Sequence, residues 1–144
     1  MIHKLTIKDV SKVAELLQAL TQELMPDYAT SDELAYKAEV MEWLNSDVHT
    51  VFVDDDYRGF IVLLDESERI TPDYHRIINT KIYIKPEARG STLYSHFYKA
   101  MLQEFPKGDI VGLTEVNSPH IKTLDKRHER IAIVYRVNRS EKWV

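Results

Sequence analysis

The chain has 144 residues, 44% of them hydrophobic and 29% charged, with a formal net charge of −4. That length supports one hydrophobic core without a staple. The acidic balance argues against broad electrostatic capture of nucleic acid or an anionic membrane, and the absence of cysteine excludes disulfides, thiolate catalysis and cysteine-based zinc sites.

No apolar run approaches the ~20 residues of a membrane-spanning helix, and residues 1–10 lack the apolar segment of a secretory signal. The expectation is a cytoplasmic protein, of intracellular or phage-encoded origin. Four glycines and five prolines leave little room for a linker, so residues 1–144 read as one domain.

Ile2, Leu5 and Ile7 alternate with polar residues and predict a first strand. Asp9 is the expected cap of a helix carrying Val10, Val13, Leu17, Leu20 and Leu24, spaced by three and four, which Pro26 stops. Ser31 is the expected cap of a second helix, with Leu34, Ala38, Met41 and Leu44 on its apolar side. Residues 48–53 and 59–64 predict a hairpin around Asp54, Asp55 and Asp56. The acidic triplet lacks the ligand spacing of a calcium loop.

A polar surface loop is expected over 65–76 and a strand over 77–84, with Ile82 and Ile84 on one face and Lys81 and Tyr83 on the other. Residues 90–105 turn helical through Leu93, Phe97, Ala100, Met101 and Phe105, and 109–116 predict another strand. Ser118 and Pro119 open a polar helix, proline being suited to its first position, and 131–137 alternate as a last strand. The fold class is therefore α/β (α+β), with a mixed, mostly antiparallel sheet of about six to seven strands and helices on both faces.

One segment carries most of the chemistry. A strand through Ile82 and Ile84 passes Pro86 and Glu87 into Arg89, Gly90, Ser91 and Thr92 at a helix start. Free amides and the positive end of the helix dipole suit a diphosphate there, Arg89 adds a cation, and Gly90 permits close backbone approach. The same residues also read as a simple helix cap.

This element order, the glycine after Arg58, the run from Ile82 to Gly90 and the spacing from Asn117 to Glu129 resemble the Gcn5-related N-acetyltransferase superfamily. The resemblance implies acetyl-CoA as cosubstrate, with Ile82 and Ile84 along the pantetheine arm. It places Arg89, Gly90, Ser91, Thr92 and Tyr94 around the diphosphate and Asn117 among the cofactor-binding residues. It implies an amine acceptor and no metal. The motif is degenerate: its two small positions fall on Thr92 and Tyr94, and the tyrosine that often serves as acid falls on Leu124.

Amine acetylation needs a base and an acid. Glu115, at a strand end, is the expected base or else a solvated charge. Tyr83 and, equally, Tyr135 are candidate replacement acids or packing residues with a wet tip, and His120 is a proton shuttle or an exposed side chain. Lys122, Lys126, Arg127 and Arg130 make a basic face, suited to the adenosine 3′-phosphate or simply solvated. The expected activity is acetyl transfer to a primary amine by direct attack. The alternative is a non-catalytic domain of the same fold, binding protein or associated with a virion. A monomer or homodimer is allowed, and the acceptor carries no readable motif.

Overall fold

The computed structural model describes residues 1–66 and 75–112, together with Lys122 and Lys126. Five strands form one sheet in chain order: β1 (Ile2–Lys4), β2 (His49–Asp54), β3 (Gly59–Asp65), β4 (His75–Ile84) and β5 (Gly108–Gly112). The first three pairings are antiparallel and β4 runs parallel to β5. A mixed, mostly antiparallel sheet is thus present with five strands among the described residues, fewer than the six to seven expected. The strand expected over 131–137 lies outside them.

Helices α1 (Val10–Leu24) and α2 (Glu33–Asn45) cover one face of the sheet, and α3 (Leu93–Glu104) covers the other. α1 buries Val10, Val13, Ala14, Leu16, Leu17 and Leu20, a stripe at three- and four-residue spacing. The α2 cap is Asp32, whose side chain accepts from the Leu34 amide at 3.0 Å, rather than the expected Ser31. β3 is the central strand: Phe60, Ile61, Val62 and Leu63 are fully buried, alternating between the two cores. Each such side chain contributes roughly 1.5–3 kcal/mol of burial.

β1 is shorter than its alternation suggests, because Ile7–Asp9 turn into a 3-10 helix in which Thr6 and Asp9 cap one another. β4 starts two residues earlier than expected and carries an irregularity absent from the sequence reading. Val62 pairs with Lys81 but Leu63 pairs with Asn79, so Thr80 is an extra residue, a β-bulge. The bulge puts Asn79 on the α3 face, with Leu63 and Ile77, and Lys81 on the α2 face, with Val62 and Tyr83.

Candidate active site

The pairing of β4 with β5 runs from His75 opposite Gly108 to Asn79 opposite Gly112. Beyond it, the bulge at Thr80 and the rest of β4 have no partner on that side among the described residues. The bulge re-aims the side chains of β4 on either side of Thr80. β4 then delivers the chain through a short 3-10 turn, Pro86–Ala88, to the start of α3.

At that start Gly90 has φ +83°, a left-handed conformation that favours glycine, and a Cβ there would meet nothing within 4 Å. Ser91 Oγ donates to the Ala88 carbonyl at 2.6 Å and accepts from the Leu93 amide at 3.3 Å, so it shapes the turn. No backbone acceptor among the described residues takes the amides of Gly90, Thr92 or Ser95. Thr92 is the N-cap residue and its side chain makes no capping bond. The corner therefore offers unpaired donors at the positive end of a twelve-residue helix.

Tyr94 does not fill this corner. It is buried in the core beneath α3, its ring tilted against Tyr98 with centroids 4.9 Å apart and its hydroxyl donating to the Tyr98 hydroxyl at 3.3 Å. Arg89 is turned away from the helix start. Its Nε donates to the Ile84 carbonyl at 2.9 Å, its Nη2 to Glu23 Oε2 at 2.7 Å, and its guanidinium lies 5.8 Å from the Tyr83 ring centroid. The charge that the sequence put at the diphosphate is thus shared with the last turn of α1.

Ile82 and Ile84 lie on the α3 face of β4, with Ile84 buried and Ile82 partly so. Tyr83 lies on the opposite face in the α1–α2 core, paired with Phe60. Burial, reinforced by the charge of Glu23 and offset by Arg89, pushes its phenol up, so it stays protonated at neutral pH. Glu115, Asn117, His120, Leu124, Arg127, Arg130 and Tyr135 lie outside the described residues. Lys122 and Lys126 are helical and exposed.

Two features escaped the sequence reading. On the α3 face, the side-chain oxygen of Asn79 is buried without a hydrogen-bond partner. On the other face, an open cavity of about 560 Å³ is lined by Ala35, Ala38, Glu39, Glu42, Trp43, Ser46 and His49. Trp43 is held by stacking on Phe60, centroids 6.0 Å apart. Ser46 Oγ bonds His49 Nδ1 at 2.8 Å. The Lys81 ammonium lies 3.8 Å from Glu39, tying the cavity rim to the residue that follows the bulge. Neither feature had a spacing signature. The one available hint was Asn79 itself, a polar residue after two isoleucines in a strand.

A mixed sheet with a bulge in β4, α1 and α2 on one face and an amide-rich α3 start on the other is the fold shared with solved acetyltransferase structures. No family model and no curated relative matches the sequence, but solved structures do. A ribosomal-protein-alanine N-acetyltransferase from Brucella melitensis biovar Abortus 2308 superposes with TM-score 0.72 at 17% identity, over 96% of this chain and 99% of that one. A possible acetyltransferase from Clostridium difficile 630 gives 0.74 at 13% identity over 96% of both chains. An aminoglycoside N-acetyltransferase solved in complex with CoA gives 0.69 at 14% identity, over 96% and 94%. At such identities the shared property is the fold.

Proposed function

We propose that the protein is an N-acetyltransferase that moves the acetyl group of acetyl-CoA to a primary amine. The observation that carries this reading is the corner at Gly90, where a positive φ, open space and unpaired amides meet at the start of α3. Backbone donors of this kind bind diphosphates. Tyr94, packed aside in the core, leaves the corner accessible and removes one ground for a non-catalytic role.

The residues present suit an acyl-CoA. Gly90, Ser91 and Thr92 would hold its diphosphate, and the β4 backbone at Ile82 and Ile84 would pair with its arm. Bound acetyl-CoA would supply an activated acyl group as a thioester. The carboxylates of Glu39 and Glu42 draw a protonated amine into the cavity beside Lys81. Tyr83, kept protonated, is the proposed acid for the leaving thiolate, and Glu115 the proposed base. The protein's part is to bind, orient and move protons at these atoms.

Calorimetry with acetyl-CoA tests the reading, followed by thioester consumption in the presence of a panel of primary amines. Binding in the micromolar range together with amine-dependent thiol release is expected. No heat and no rise in melting temperature at millimolar acetyl-CoA would remove the proposal.

A further inference from the structure

An alkyl amine meets a protein at neutral pH as an ammonium, which has no lone pair with which to attack a thioester. Its nitrogen must shed two protons to become a secondary amide. Glu115 and Tyr83 serve the second proton and the leaving thiolate, which leaves the first proton without a taker.

The cavity under α2 holds a group of the required chemistry. His49, the first residue of β2, lines it together with Glu39, Glu42, Trp43 and Ser46. Alternation along β2 puts His49 on the face of Val51 and Val53, in the direction of the α1–α2 core and of Lys81. The Lys81 side chain, 3.8 Å from Glu39, shows that this rim already accommodates an alkylammonium. An imidazole is a stronger base than a carboxylate and ordinarily exchanges its proton near neutral pH. The two glutamates therefore attract the cation, and the histidine is the group suited to deprotonate it.

The half-buried ring is anchored on one side only. Its Nδ1 lies 2.8 Å from Ser46 Oγ, which also accepts from the Val48 amide at 3.2 Å. A hydroxyl oxygen has two lone pairs, so with one on the Val48 N–H the other is open to Nδ1–H. Among the described residues nothing bonds Nε2. A neutral ring that donates from Nδ1 carries its lone pair on Nε2.

We infer that His49 is a catalytic base, whose Nε2 takes the first proton of the bound ammonium while Nδ1–H donates to Ser46 Oγ. One N–H bond of the substrate breaks, a ring N–H forms, and the amine nitrogen recovers its lone pair. The inference rests on the acetyl-transfer reading above. As that nitrogen bonds the acyl carbon and the C–S bond breaks, the second proton passes to Glu115 and Tyr83 protonates the thiolate. The proton on Glu115 then replaces the one Tyr83 gave, and His49 releases its own to solvent.

The test uses two acceptors of one shape. Ethylamine is an ammonium at neutral pH, whereas 2,2,2-trifluoroethylamine, its nitrogen depleted by the fluorines, is mostly the free amine. In His49→Gln, which keeps a side chain able to bond Ser46, kcat/KM for ethylamine at neutral pH should fall about 10²-fold. For trifluoroethylamine it should hardly change, and the ethylamine deficit should shrink as pH rises and free amine accumulates. Ser46→Ala, which releases Nδ1, should show the same selective loss at a few-fold, and it decides the matter if His49→Gln does not fold. Equal losses for the two amines, as a structural role would give, or no loss for ethylamine, overturn the role of His49 and leave acetyl transfer standing. Absence of amine-dependent thiol release from the wild type, with these two and across the panel, overturns both.

Discussion

His3 Nε2 lies 2.9 Å from Asp9 Oδ2, while the other ring nitrogen bonds the Asp55 carboxylate. A carboxylate on each nitrogen favours the doubly protonated ring, in which both nitrogens donate. Burial pulls the His3 pKa down, but the hydrogen bonds to Asp55 and Asp9 outweigh it and the net shift is upward. Burial would raise Asp9, yet bonds from Tyr57, Thr6 and His3 leave it lowered. The cluster ties β1, the start of α1 and the β2–β3 turn together.

The pH dependence of stability follows from those two directions. A raised histidine contributes fully below its ordinary 6.5 and loses its contribution as pH climbs through the raised folded value. A lowered aspartate contributes above 3.8 and loses its contribution as pH falls through the depressed folded value. Melting temperature should therefore be highest between these limits and decline on the alkaline side. His3→Gln should flatten that decline, as scanning calorimetry from about pH 5 to about pH 9 will show. An alkaline decline identical in the variant would contradict the assignment.

Arg89 and Glu23 give a second prediction. The pair is partly exposed, so its stabilising effect is under about 1 kcal/mol. Its larger effect is on charge near the Gly90 corner, where Glu23 neutralises the cation. Glu23→Gln should bind CoA a few-fold more tightly, with a steeper loss of affinity as salt is raised. Weaker binding in calorimetry at low salt would count against Arg89 as a phosphate partner.

Two glycines should respond differently to the same change. A Cβ on Gly59 would run into the Tyr83 carbonyl, a backbone atom that cannot move aside. At Gly90 there is space, and only the conformation resists. Gly90→Ala should cost about 1 kcal/mol, with Gly90→Asn costing less. Gly59→Ala should cost about 3 kcal/mol. Denaturant unfolding of the three variants will order them, and a Gly59 variant as stable as wild type would refute the close β3–β4 packing.

The acidic cavity predicts substrate behaviour. Replacing Glu39 and Glu42 together by glutamine should raise KM for a cationic amine by about threefold to tenfold. The Kd for CoA should not move, because these residues lie on the opposite face of the sheet from the α3 corner. Steady-state kinetics with paired calorimetry separates the two, and a parallel loss of CoA binding would argue that the cavity is not the acceptor side. A further substitution, Tyr83→Phe, should lower kcat by about 10²-fold or more with KM little changed, if the phenol protonates the leaving thiolate.

How far the sequence could be read follows from which features are local. Helix stripes such as Val13–Leu17–Leu20 and the hairpin over β2 and β3 repeat at fixed spacing, so periodicity finds them. The turn through Pro86, Arg89 and Gly90 was legible because each residue type has its own backbone consequence. The direction of Arg89 was not, since its partner Glu23 is distant in sequence. The bulge at Thr80 was hidden for the same reason: a register shift exists only between two strands. The orphaned Asn79 inherits that invisibility, because it depends on what the bulge turns toward each face, while the cavity is built where α2 meets the start of β2 and has no spacing of its own.

The Thr80 bulge has one more consequence. Because it sends Asn79 and Lys81, which a regular strand would place on one face, to opposite faces, the surroundings of Lys81 can change while those of Asn79 keep their shape. On the proposed reading, substitutions in α2 alter the acceptor side and leave the donor side of the sheet unchanged.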